Sequence, residues 1–132
     1  MHILIVDDDF ASRQLLARSV RDLGACDQAC NGEEGWAAYQ ASLDGDPYDL
    51  ILLDMVMPGM GGGDLLRKIR ADELARGVTG RRRCGIAMAT VLSDRDSVLG
   101  AFRNEADGYI VKPYSPESVR RDLRMHNLIG EA

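Results

Sequence analysis

Little in these 132 residues would let the chain cross a membrane, hold zinc or attract nucleic acid. The longest apolar stretches, such as Ile3-Leu4-Ile5-Val6, are far too short for a membrane span or a signal peptide. Cysteine is scarce: Cys26, Cys30 and Cys84 are an odd number without paired zinc spacing, and the two histidines, His2 and His126, lie at the termini. These cysteines are expected to be small buried thiols in a reducing compartment, so a cytoplasmic location is expected. Positive charge is also in deficit. The formal net charge is −5, which removes any general attraction for nucleic acid, and the one basic run, Arg81-Arg82-Arg83, reads as a solvated loop. No repeat, linker or low-complexity tail interrupts the chain, and its length suits a single domain spanning residues 1–132.

What is present is a set of short aliphatic runs. His2 to Val6 is β-branched and ends in Asp7-Asp8-Asp9, and Leu50-Ile51-Leu52-Leu53 runs straight into Asp54. Apolar runs without polar alternation are expected of strands buried on both faces of a parallel sheet. We expect strands at His2–Val6, weakly at Ala25–Ala29, then at Asp49–Asp54, Ile86–Leu92 and Tyr109–Val111. Helical spacing is expected between them. Ala11 to Leu23 carries Leu16, Val20 and Leu23, and the helix from Glu33 turns Trp36, Tyr39 and Leu43 inward. Leu65 to Leu74 carries Leu66, Ile69 and Leu74, and Asp94 to Glu105 places Val98, Ala101 and Phe102 on one side. Ser115-Pro116-Glu117 opens a last helix to Leu123, with proline at its first position. Gly59, Gly61, Gly62 and Gly63 are expected to form a mobile or tightly turned connection, and Ala75 to Arg83 a polar one. Strands alternating with helices predict an α/β three-layer sandwich, a five-stranded parallel sheet with helices on both faces.

Polar residues follow the aliphatic strands at equivalent places: Asp7-Asp8-Asp9, Asp54, Thr90 and Lys112. In a parallel sheet these positions share one edge, where open α/β sheets bind their ligands. Helix capping alone accounts for an Asp or a Thr but not for Lys112 ahead of Pro113. Several carboxylates at one edge repel unless a cation joins them, and a hard ion with oxygen ligands and waters, such as Mg²⁺, suits the set. A metal, an ammonium and a hydroxyl around one carboxylate meet the needs of phosphoryl transfer, with the carboxylate as nucleophile.

The residues Ile3-Leu4-Ile5-Val6-Asp7-Asp8, Asp49 to Asp54 with Met57-Pro58-Gly59-Met60, Thr90, and Gly108 to Tyr114 resemble a receiver domain of two-component response regulators, of the chemotaxis-regulator kind. The resemblance covers nearly the whole chain. It implies the flavodoxin-like strand order 2-1-3-4-5. It implies that Asp54 accepts a phosphoryl group from a sensor histidine kinase or phosphotransfer protein. Asp8 would bind Mg²⁺ (or Mn²⁺) directly, Asp7 through water, with Asp54 and the Val56 carbonyl completing the protein ligands. Thr90 and Lys112 would bond the phosphoryl oxygens. Tyr109 would turn inward when Thr90 moves, changing the surface of the fourth helix, fifth strand and fifth helix for a downstream target protein or an effector domain. Direct contact with nucleic acid or membrane is not implied.

Some positions depart from the family pattern. Asp9 adds a third acid, expected at the helix start and facing solvent. Val91 stands where a small residue is usual, and Val56 and Leu92 place aliphatics where some relatives orient a hydrolytic water, so a long-lived phosphoryl-aspartate is expected. Ala71 to Arg83 reads as a surface extension. Three other readings share parts of the pattern. Asp7-x-Asp9 has the spacing of haloacid-dehalogenase-like phosphatases, but Phe10-Ala11 matches poorly and no cap domain fits the length. A flavodoxin-like carrier would need hydroxyls and backbone N–H groups, where this first loop is acidic. A docking module that is never phosphorylated would not need Asp8, Asp54, Thr90 and Lys112 together. A stand-alone regulator and a piece of a larger protein are both compatible with these residues.

Overall fold

Five strands pair in parallel in the order β2-β1-β3-β4-β5 in the computed structural model. It describes residues 1–102 and 105–130, with all their side chains but those of Arg81 and Leu92. The strands are β1 (His2–Val6), β2 (Ala25–Ala29), β3 (Leu50–Asp54), β4 (Gly85–Val91) and β5 (Gly108–Lys112). Between and after them run α1 (Phe10–Val20), α2 (Gly32–Ser42), α3 (Gly62–Ala75), α4 (Arg95–Ala101) and α5 (Pro116–Met125). The expected three-layer sandwich and strand order are both found.

Alternation along each strand divides the core in two. Leu4, Val6, Ile51, Leu53, Ile86 and Met88 point to one face, where Tyr39 of α2, Leu65, Leu66 and Ile69 of α3, and Val98 of α4 cover them. Ile3, Ile5, Leu50, Leu52, Ala87 and Ile110 point to the other, beneath Leu16 and Val20 of α1 and Val119 and Leu123 of α5. Every residue of β3 is buried, because β3 lies at the centre of the sheet with neighbours on both sides.

Several boundaries differ from expectation. The helix expected from Ala11 to Leu23 ends at Val20 and tightens into a 3₁₀ turn at Arg21–Leu23. Gly62 and Gly63 are the first residues of α3 and not part of a mobile connection, for a steric reason: a Cβ at Gly62 would run into the Asp54 carbonyl, and one at Gly63 into the Phe102 ring. The fourth helix is much shorter than Asp94 to Glu105; a 3₁₀ turn at Leu92–Asp94 precedes it, Phe102 caps it, and residues 103–104 of the expected span lie outside the described residues. Val98 and Phe102 are buried there, whereas Ala101 is exposed. Leu74 is 70% exposed, because in that turn Glu73, four residues after Ile69, takes the inward-facing position. Cys84 alone is a buried thiol; Cys26 is half-buried and Cys30, just past the edge strand β2, is exposed. Trp36 is half-buried against the core, with the Lys68 ammonium 4.9 Å from its ring.

A buried charge network centred on Arg70 ties down both ends of the segment from Ala71 to Arg83 that reads as a surface extension. The Arg70 guanidinium donates to Glu73 Oε1 at 2.7 Å, Asp107 Oδ2 at 2.7 Å, the Glu105 carbonyl at 2.7 Å and the Cys84 carbonyl at 2.8 Å. Glu73 Oε2 in turn accepts the Cys84 N–H at 2.8 Å, and Asp107 Oδ2 accepts the Ile86 N–H at 2.9 Å. Arg83 also approaches Asp107, at 3.7 Å, so one member of the basic run is tied down. The network satisfies groups just ahead of β4 and β5, which would otherwise be buried without partners.

Candidate functional site at the carboxyl edge of the sheet

The rim is built by register. β1 runs out into Asp7 and Asp8, β3 ends in Asp54, and β5 ends in Lys112, paired opposite Val91. Thr90 is the penultimate residue of β4 and pairs opposite Val111. Asp7 and Asp54 are nearly inaccessible, at 1% and 4%, while Asp8 is exposed. One carboxylate oxygen from each of Asp7, Asp8 and Asp54 lies within 4.8 Å of the others. Lys112 Nζ donates to Asp54 Oδ1 at 2.6 Å. The side chains of residues 7, 8, 54 and 112 thus converge, as the strand ends predicted.

Three carboxylates facing one ammonium leave an excess of negative charge in a partly dry place. Burial, and to a lesser degree the Asp54 charge, push the Asp7 carboxyl above its usual value, against the opposing pull of the Asp9 N–H, Lys112 and Tyr114. The donor set is all oxygen, which fits a hard divalent cation of the Mg²⁺ kind. Asp9 has a different job. It is the N-cap of α1, accepting the Ser12 N–H at 2.8 Å, and hydrogen bonding to Ser12 lowers its pKa. It stands apart from the three-acid cluster, as expected of a solvent-facing cap.

Among the described residues, neither Thr90 nor Tyr109 makes a side-chain hydrogen bond to this cluster. Thr90 is buried, with its hydroxyl 3.4 Å from the Val91 carbonyl, and it borders a cavity of about 270 Å³ shared with Met55, Val56, Val98 and Phe102. Val56 is 79% exposed on the loop after β3, and Val91 is also exposed. The side chain of Leu92 lies outside the described residues. Tyr109 is half-buried on β5, its ring gripped from two sides: the Arg95 guanidinium is 5.7 Å from the ring centroid, and the His126 ring meets it edge-on at 4.4 Å.

Two contacts were not foreseen from the sequence. The Asp9 N–H donates to Asp7 Oδ1 at 2.9 Å, and the Tyr114 hydroxyl donates to Asp7 Oδ2 at 3.3 Å. Burial and the Asp7 charge raise the Tyr114 pKa, so the phenol keeps its proton. The available signal was a phenol two residues beyond Lys112, at the same edge as the acids.

Comparison with known proteins decides the family. The model of the response regulator receiver domain matches residues 3–124. The chain belongs to that family. As a receiver domain it is 33% identical over 123 residues to the chemotaxis protein CheY of Pseudomonas aeruginosa, covering 93% of both chains. It is 37% identical over 131 residues to the transcriptional regulatory protein ResD of Bacillus subtilis, covering 98% of this chain but 48% of that one. Among solved structures, the chemotaxis response regulator CheY4 of Vibrio cholerae superimposes with a TM-score of 0.75 at 25% identity, covering 95% of this receiver domain and 97% of that chain. These likenesses are to a signalling domain and do not favour the phosphatase, flavin-carrier or docking-only readings.

Proposed function

We propose that this receiver domain, residues 1–132 acting as one unit, takes a phosphoryl group onto Asp54 from the phosphohistidine of a sensor histidine kinase or phosphotransfer protein. One observation carries the proposal: a buried carboxylate at the end of the central strand, with an ammonium at 2.6 Å and two more acids within 4.8 Å. An Asp54 oxygen attacks phosphorus in line, and the P–N bond breaks with its electron pair going to the donor's imidazole. Asp8, Asp54 and the Val56 carbonyl would hold Mg²⁺ or Mn²⁺ directly, and Asp7 through water. When bound, the ion neutralises charge that develops on the phosphoryl oxygens. Lys112 moves its ammonium from Asp54 to the transferred group, and the Thr90 hydroxyl leaves the weak contact with Val91 to join it. The chain is a signalling domain that promotes its own phosphorylation and dephosphorylation and turns over no separate substrate.

The output follows from the same edge. Movement of Thr90 opens space for Tyr109, whose turn inward releases its contacts with Arg95 and His126 and remodels the α4–β5–α5 surface. A downstream target protein or an effector domain reads that surface. Both arrangements have parallels, since the chain covers most of CheY of Pseudomonas aeruginosa but about half of ResD and of the phosphate regulon regulator PhoB. No described helix is long and apolar enough to cross a membrane, and we place the protein's action in the cytoplasm, without direct contact with nucleic acid.

The test is incubation with acetyl phosphate and Mg²⁺ followed by intact mass. Wild type gains one phosphoryl mass and Asp54→Asn gains none; a gain retained in the variant, or absent from wild type, overturns the assignment. Decay of the same mass peak reports its lifetime. The exposed Val56 offers no side-chain hydrogen bond to an attacking water, and Val91 crowds the approach where a small residue is usual, so slow loss is expected. Loss as fast as in rapid chemotaxis regulators would refute that expectation.

A further inference from the structure

The Asp7 carboxylate has almost no contact with solvent, yet it carries two protein donors, one on each oxygen. The Asp9 N–H reaches Oδ1 at 2.9 Å and the Tyr114 hydroxyl reaches Oδ2 at 3.3 Å. A carboxylate has about four lone-pair sites. One donor on each oxygen restrains its rotation and leaves lone pairs free, and one of its oxygens lies within 4.8 Å of an oxygen of Asp8 and of Asp54. The main-chain donor comes with the fold, because Asp9 also caps α1. The phenol does not. It arrives from the segment after β5, and the Tyr114 ring forms one wall of an open cleft of about 470 Å³ whose other lining residues include Ser12, Leu15 and Lys112.

We infer that Tyr114 is a positioning residue for cation binding: its hydroxyl holds Asp7 in the rotation in which the three acids present oxygens to a single divalent ion. The inference rests on the reading of this edge as a Mg²⁺-dependent phosphoacceptor site. Groups that orient metal-binding side chains alter affinity without touching the ion, and their loss typically costs about 10–100-fold. The Tyr114–Asp7 contact is long, so a loss near the lower bound, about ten-fold, is expected.

The variant is Tyr114→Phe, which removes one hydroxyl and keeps the ring in the cleft wall. Mg²⁺ affinity is read by calorimetric titration of the metal alone, and by the Mg²⁺ dependence of phosphorylation from acetyl phosphate. The expected result is a ten-fold weaker Mg²⁺ affinity and a matching rise in half-saturating Mg²⁺, with the phosphorylation rate at saturating Mg²⁺ and the metal-free melting temperature unchanged. A merely structural hydroxyl would lower the melting temperature and leave Mg²⁺ affinity alone, which would overturn the inference. In an Asp7→Asn background the Tyr114→Phe change should have no further effect on affinity; an undiminished effect there would show that the phenol does not act through Asp7. Wild type that binds Mg²⁺ normally beside an unaffected variant refutes the role of Tyr114 alone. Wild type that binds no Mg²⁺ and takes no phosphoryl group refutes the reading of the site, and this inference with it.

Discussion

Replacing Asp7 with asparagine should make the metal-free protein more stable. At 4.8 Å and an effective dielectric of about 20, each pair of acids in the cluster repels by about 3.5 kcal/mol. The attraction of Asp7 to Lys112 offsets part of this, and water around exposed Asp8 screens its share. Asparagine keeps the shape of the side chain. Its carbonyl oxygen can accept the Asp9 N–H, and its amide can donate to the phenol oxygen of Tyr114, so little hydrogen bonding is lost. The net gain should be about 1–3 kcal/mol. Over 132 residues the entropy of unfolding is about 0.28 kcal/mol/K, so the melting temperature should rise by about 4–11 °C. Calorimetry or circular dichroism in divalent-free buffer measures this directly. Added Mg²⁺ should raise the melting temperature of wild type and have much less effect on Asp7→Asn, reversing or closing the gap. If the variant melts at or below wild type without metal, the acids are not in mutual repulsion and the electrostatic account of the rim is wrong.

Two other outcomes follow from groups away from the rim. Arg70→Met strips one partner from a buried network and leaves Glu73 without its cation, which should cost about 3–5 kcal/mol and lower the melting temperature by about 11–18 °C. Phosphorylation well below that temperature should survive; an unchanged melting temperature would refute the role given to Arg70. His2 should impose a pH dependence. Its burial opposes the charged form, but the Asp46 carbonyl, at 2.6 Å from Nδ1, and the Asp27 carboxylate, at 2.9 Å from Nε2, outweigh burial and raise its pKa above 6.5. Because the folded value is the higher one, the stabilisation is fully present below 6.5 and is lost as pH rises through the folded pKa. Melting of His2→Gln and wild type should therefore converge at alkaline pH; a constant gap across the range would show that the ring's charge contributes nothing.

The strands were legible because a parallel sheet covered on both faces demands aliphatic runs, and Leu50 to Leu53 can satisfy little else. The site was legible for a related reason. A polar residue directly after such a run, as at Asp7, Asp54 and Lys112, falls at the sheet edge whatever the helices do. What escaped notice depends on long-range partners. Arg70 and Glu73 look like the exposed face of a helix until Asp107 and the Cys84 main chain arrive beside them. Gly62 and Gly63 look like flexible loop until the Asp54 carbonyl and the Phe102 ring claim the space a Cβ would need. The hydroxyl of Tyr114 has no local cue to its role, because its partner lies 107 positions earlier in the chain.

The guanidinium of Arg70 has a mechanical consequence. Cys84 and Asp107, which it grips, immediately precede the first residues of β4 and β5, so these two strands are riveted to α3 at their amino-terminal ends. Thr90 and Lys112 sit at the opposite ends. The base is held by a guanidinium that takes no part in the site, whereas the tip is held by the Lys112 ammonium on Asp54 itself, so a change at Asp54 loosens the strands only at the end where α4 begins.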